Sequence, residues 1–114
     1  LRRYGVALKI VLLDNSSLGL VRQWQELFFD QNYSEVDLSD NPDFVAVAEA
    51  FGIEAFRISR REEVSAGIQR LLAAPGPCLA HVLIDPGANV WPLVPPGRSN
   101  AEMMHGTMNF EGEI

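Results

Sequence analysis

An apolar run without polar alternation, Ile10-Val11-Leu12-Leu13, breaks into four turn formers, Asp14-Asn15-Ser16-Ser17, and an amphipathic pattern follows. The run predicts a parallel-type strand, because a strand covered on both faces has no reason to alternate. Short polar side chains at 14–17 bond nearby backbone and end it. Past Gly19, the residues Leu20, Val21, Trp24, Leu27 and Phe28 recur on one face of a helix. A strand passing through a short polar corner into a helix leaves N–H groups and a helix dipole at the carboxyl end of the sheet. Open α/β sheets take anionic ligands, typically phosphate, at such corners.

The remaining pattern repeats this alternation. A strand is predicted over 7–13 and a helix over 18 to about 31, followed by a long polar connection at 32–41. Asn41-Pro42-Asp43 reads as a helix start, with Asn41 at N-cap and Pro42 in the first turn. Phe44, Val47, Ala48 and Phe51 make the expected buried stripe, and Gly52 ends that helix. A short strand spans 53–58. Ser59-Arg60-Arg61-Glu62 reads as a capping box opening a helix whose stripe is Val64, Ile68, Leu71 and Leu72. Pro75-Gly76-Pro77 stops it, and 78–84, almost wholly apolar, is a strand expected at the centre of the sheet.

The order β-α-α-β-α-β predicts the α/β class: a parallel sheet flanked by helices, with right-handed crossovers, plus an extended C-terminal tail. Residues 1–4 look like the end of a helix closed by Gly5, so the chain reads as a piece of something longer. Two parts are expected, 1–87 as the α/β portion and 88–114 as a proline-containing tail. Asn89-Val90-Trp91-Pro92-Leu93-Val94-Pro95-Pro96-Gly97 carries large apolar groups on a stiff chain that must be buried by something, and fraying is expected from Arg98 onward.

Composition narrows the function. The net charge of −6 argues against a nucleic-acid partner. No apolar run approaches the ~20 residues that span a bilayer, and no secretory signal precedes the first strand. With one cysteine, Cys78, no internal disulfide can form, which fits a reducing, cytoplasmic setting. No Lys or Arg lies between Arg22 and Arg57, while eight acidic residues do; that run reads as a solvated face.

Asn15 offers a neutral oxygen at a strand end, next to carbonyls turned outward in a tight loop. Mg²⁺ takes a few such protein oxygens and completes its octahedron with phosphates and water. The sequence Leu13-Asp14-Asn15-Ser16-Ser17-Leu18-Gly19-Leu20-Val21-Arg22-Gln23-Trp24-Gln25 closely resembles the thiamine-diphosphate motif of the acetohydroxyacid (acetolactate) synthase catalytic subunit. Glu26-Leu27-Phe28-Phe29, Tyr33-Ser34-Glu35, Asp40-Asn41-Pro42-Asp43-Phe44 and Val90-Trp91-Pro92-Leu93-Val94-Pro95-Pro96-Gly97 extend the resemblance from residue 1 to about 104.

The resemblance implies part of a doubly wound domain that binds thiamine diphosphate. It implies Asn15 as a Mg²⁺ ligand and Ser17 as the residue giving its carbonyl to the metal. Ser16, Gly19 and Leu20 fall against the cofactor, and Trp24 lines the acceptor channel. The implied reaction decarboxylates pyruvate and joins the two-carbon unit to a second 2-ketoacid, pyruvate or 2-ketobutyrate, at the entry to branched-chain amino acids. A homodimer or tetramer, a small regulatory subunit, and FAD bound outside this segment belong to the same expectation.

Two departures limit it. The Gly-Asp-Gly that opens the family motif is absent, and so is the catalytic glutamate, which lies in another domain. No catalytic residue is therefore expected in this chain, which should be inactive alone. Another thiamine-diphosphate enzyme, such as glyoxylate carboligase or a pyruvate oxidase, is disfavoured by Gln23-Trp24-Gln25 and the 91–97 tail. A module that binds no cofactor is the alternative from a different class. His81 reads as a hydrogen-bonded core histidine, His105 as a tail residue without metal partners, and Cys78 as packing.

Overall fold

The computed structural model describes residues 1–106. Three strands form one parallel sheet in the order β1-β3-β2: β1 is Lys9–Asp14, β2 Glu54–Ile58 and β3 Cys78–Leu83. The most apolar strand is thus central, as expected, because only there are both edges paired. Register pairs Leu12 with His81, Asp14 with Leu83, and Phe56 with Ala80. The helices are α1 (Gly19–Phe28), α2 (Phe44–Ala50) and α3 (Val64–Ala73). The predicted order β-α-α-β-α-β holds.

The core lies between β2, β3 and α3: Phe56, Ile58, Leu71, Cys78 and Ala80, with Ala74 and Val82 against them. Gly67 belongs to it by necessity, since a Cβ there would collide with the Ile58 side chain. Buried Ala48 of α2 and Ala55 of β2 mark the opposite face, where the Phe44 ring meets His81 edge-on at 5.3 Å.

Several boundaries move. The first strand runs two residues later at its start and includes Asp14, which pairs with Leu83 in the ladder while its side chain accepts the Ser16 N–H at the turn. The first helix ends at Phe28 and not near 31, because Asp30 (φ 51°) and Gln31 (φ 59°) turn left-handed and the Gln31 N–H returns to the Gln25 carbonyl. The cap of α2 is Asp43, not Asn41: its carboxylate accepts from the Val45 and Ala46 N–H groups at 3.0 and 3.2 Å. The Asn41 N–H closes a turn on the Leu38 carbonyl instead. The box before α3 is shifted by one residue, with Glu63 accepting from the Ser59 and Arg60 N–H groups, so a 3-10 turn at Arg61–Glu63 precedes the α-helix. Gly52 does end α2, at φ 67°.

The helix stripes are only partly core. Ala48 and Leu71 are buried, but Phe51 is 72% exposed, Leu72 67%, and Val47, Val64 and Ile68 also face solvent. Three strands offer too little surface for all these side chains.

The tail is more ordered than its composition suggests. Ser99 and Glu102 cap a 3-10 turn over Asn100–Glu102, and Leu93 and Met104 exchange backbone hydrogen bonds of 3.0 and 2.7 Å. A Cβ at Gly106 would collide with the Trp91 indole, so the chain returns across that ring. Fraying from Arg98 is therefore overturned as far as 106; residues 107–114 lie outside the described residues.

Candidate functional site

The corner after β1 is neither helix nor open loop. Ser16 sits at φ 50°, left-handed and uncommon for serine. The next residues are stitched to the long connection. The Leu18 N–H reaches the Val36 carbonyl and the Leu38 N–H the Ser16 carbonyl, each at 2.9 Å, and the Ser17 hydroxyl donates to Val36 at 3.1 Å. Ser17 thus faces Asp37 in an antiparallel bridge whose hydrogen bonds belong to its neighbours. Its own carbonyl takes no backbone hydrogen bond among the described residues and is left for another partner.

Asn15 is half-buried and its amide oxygen accepts the Ser17 N–H at 3.2 Å, a long bond that leaves one lone pair open. Its amide nitrogen occupies the space above Gly19, where a Cβ would stand 2.6 Å away. A side chain at 19 would therefore have to displace the Asn15 amide. An amide oxygen with one bond made and a carbonyl without a backbone partner thus both fall in the four residues between β1 and α1.

These donors suit a hard cation that takes most of its ligands elsewhere. Among the described residues no cluster of three His, Cys, Asp or Glu side chains could hold a metal by itself. The fit to Mg²⁺ shared with a phosphate group rests on Asn15, the Ser17 carbonyl and the helix start.

Asp14 lies just behind the corner. Its Oδ1 accepts the Ser16 N–H at 2.8 Å and its Oδ2 lies 2.8 Å from His81 Nε2. Those bonds, first the Ser16 N–H and then the imidazole, hold its carboxyl below the usual range. His81 is thus the hydrogen-bonded core histidine the pattern predicts. Cys78 is fully buried, and burial pushes its thiol up, away from reactivity. His105 is exposed.

Beyond the corner, α1 has no close backbone packing on any strand comparable to that of α2 or α3. Its apolar residues stay open: Leu20, Val21 and Trp24 line a groove of about 550 Å³ with Gln25, Phe29, Asn32 and Ser34. The Trp24 ring meets Phe28 edge-on at 6.2 Å, which fixes the indole as one wall. Gln25 exchanges two hydrogen bonds with the Ser34 backbone and closes the far end. A second groove of about 400 Å³ passes Ser16, Ser17, Arg22, Asp37 and Gly87. The guanidinium there is engaged through its two terminal nitrogens by Glu26, the Gly87 carbonyl and Asn89, while its Nε is buried without a partner among the described residues.

The sequence pattern overlooks what anchors α1. Gln23 is fully buried; its amide donates to the Val90 carbonyl and accepts the Val90 N–H, both at 2.9 Å. Asn89 also donates to Glu26 at 3.1 Å. A signal was available: Gln23 lies three residues after Leu20 and four before Leu27, a polar group inside the apolar stripe.

Comparison with known proteins identifies the family. Residues 1–82 match the family model described as thiamine pyrophosphate enzyme, C-terminal TPP binding domain. The chain is 56% identical over 103 residues to the acetolactate synthase isozyme 2 large subunit of Escherichia coli (strain K12), covering 90% of this chain and 19% of that protein. It is 42% identical over 105 residues to the acetolactate synthase large subunit of Parasynechococcus marenigrum, with 91% and 17% covered. The mitochondrial acetolactate synthase of Schizosaccharomyces pombe is 38% identical over 98 residues, with 86% and 14% covered. The chain thus spans under a fifth of the length of these relatives. With a parallel sheet, a polar corner at its carboxyl edge and a match over most of its residues, the chain belongs to the thiamine pyrophosphate enzymes, as their C-terminal TPP-binding domain.

Proposed function

We propose that this chain is the diphosphate-anchoring segment of an acetolactate synthase large subunit. Residues 1–87 form the anchoring part and 88–114 a proline-containing tail, of which Asn89 and Val90 bond side chains of α1. In this reading Asn15 Oδ1 and the Ser17 carbonyl hold Mg²⁺. Ser16, Gly19 and Leu20 bound the thiamine diphosphate, and Trp24 forms a wall of the acceptor-substrate site. The observation that carries it is the Asn15–Gly19 fit, in which the asparagine amide occupies the volume a Cβ would take.

When bound, thiamine diphosphate supplies the nucleophilic carbon at which a 2-ketoacid loses CO₂. The residues of this chain position and exclude. The corner orients the diphosphate end of the cofactor, and the Leu20–Trp24 groove presents a flat apolar wall to the second 2-ketoacid. On such a wall one added methylene, as in 2-ketobutyrate against pyruvate, gains about 1 kcal/mol. The chain spans under a fifth of its acetolactate synthase relatives, and in this reading the activity is that of a longer protein, placed in the cytoplasm. A dimer or tetramer, FAD and a small regulatory subunit complete the proposal.

Calorimetry with thiamine diphosphate, with and without Mg²⁺, tests it on the intact protein. The expected result is Mg²⁺-dependent heat that Asn15→Ala weakens about tenfold or more, since a polar ligand to a charged group contributes about 1.5–3 kcal/mol. The absence of heat in the unmodified protein would favour a module that binds no cofactor.

A further inference from the structure

The sheet closes on a polar pair that the apolar core does not require. Asp14 ends β1, and His81 stands on the neighbouring β3, opposite Leu12. Their side chains are 10% and 4% exposed, and the Oδ2–Nε2 distance is 2.8 Å. Because the other carboxylate oxygen takes the Ser16 N–H, one buried group joins the central strand to the corner backbone. The bonded amide belongs to the residue forced left-handed, Ser16, which lies between Asn15 and Ser17.

The imidazole has a fixed role in this arrangement. Its Nδ1 is buried and has no partner among the described residues, with the Phe44 ring perpendicular at 5.3 Å. An N–H at Nδ1 would be stranded there, whereas a bare lone pair costs less to bury. The proton belongs on Nε2, which donates to Asp14. The carboxylate, accepting on both oxygens, then sets the conformation of Ser16 and through it the direction of the flanking groups.

We propose that His81 is a positioning residue: through Asp14 it holds Ser16 left-handed and so aims the Asn15 amide and the Ser17 carbonyl at a magnesium–diphosphate group. This rests on the functional reading above. The alternative is a pair that only ties β1 to β3 and leaves the corner unaffected.

Two substitutions in the intact protein separate these. His81→Gln keeps an N–H donor within reach of Asp14, and His81→Leu fills the space without one. Amide hydrogen exchange at Ser16 and Ser17 reads the corner directly, and a Mg²⁺ titration at fixed thiamine diphosphate, followed by calorimetry, reads its aim. His81→Leu should raise the half-saturating Mg²⁺ concentration about tenfold, the effect of removing an outer-shell partner, and speed Ser16 exchange by a similar factor. His81→Gln should stay within about threefold of the unmodified protein on both. Should His81→Leu fail to fold, Asp14→Asn serves instead, because one of the two accepting oxygens becomes an NH2 group that can accept neither N–H; faster Ser16 exchange is expected. Unchanged exchange and Mg²⁺ dependence in His81→Leu, a glutamine variant no better than leucine, or unchanged exchange in Asp14→Asn would overturn the proposal. If the unmodified protein takes up no Mg²⁺ and cofactor, the functional reading fails, while the exchange data still judge the His81 strut.

Discussion

Gln23 and Val90, 67 residues apart, exchange two hydrogen bonds in which a side-chain amide takes the place of a neighbouring strand. The pair fastens the proline-containing tail to α1, a helix that the sheet itself hardly touches. Gln23 is fully buried while Val90 is exposed, so the pair is shielded from water on the side of α1.

Replacing Gln23 with Leu should therefore cost more than its size suggests. The Val90 N–H and carbonyl lose their partners; a hydrogen bond of this kind contributes about 0.5–1.5 kcal/mol. Val90 is partly open to water, which places the effect near the lower end. The expected outcome is a lowered denaturation midpoint together with faster proteolysis between 88 and 97. A variant that resists protease as the unmodified chain does would show that the tail is held elsewhere.

Gly19→Ala separates folding from the site. Gly19 is the first residue of α1 and has no left-handed backbone to maintain, so alanine is favoured by helix propensity by up to about 1 kcal/mol. Its methyl group would stand 2.6 Å from Asn15 Nδ2 and must displace that amide. Circular dichroism should show an unchanged or slightly raised Tm, while Mg²⁺-dependent uptake of thiamine diphosphate falls. Loss of both together would mean that the corner is a folding element only.

The Asp43 cap predicts an acid-sensitive α2. The Ala46 N–H, with Val45 and Arg57 assisting, holds the Asp43 carboxyl below its ordinary value. A carboxyl lowered on folding contributes stability that is present above its unfolded pKa of about 4 and is lost as pH falls through the lower folded value. Thermal unfolding from pH 6 down to pH 2 should show a drop below about pH 4 that is shallower in Asp43→Asn. Equal slopes in the two proteins would remove Asp43 from the account.

Cys78 should be chemically silent until the chain opens. It is fully buried at the start of the central strand, and burial raises its thiol pKa. Labelling with a thiol-reactive disulfide at neutral pH should be slow in the native protein and complete in denaturant. Rapid native labelling would contradict the packing of β3.

Strand order, the parallel sheet and the corner after β1 were legible in the residues, because apolar runs, turn formers and stripe spacing act locally or through simple burial. The roles of His81 and Cys78 were legible for the same reason, as polar and thiol groups within an apolar run. Cap identity was not: whether Asn41 or Asp43 receives the first N–H groups of α2 depends on where the connection delivers the chain. Nor was the exposure of Phe51 and Leu72, since periodicity shows which face is apolar but not whether anything covers it. Only the tertiary structure decided that Gln23 meets Val90, that Asp14 meets both His81 and Ser16, and that the space above Gly19 belongs to Asn15. Those relationships join residues far apart in the chain or set the angle of a single corner, and hydrophobic pattern carries no information about either.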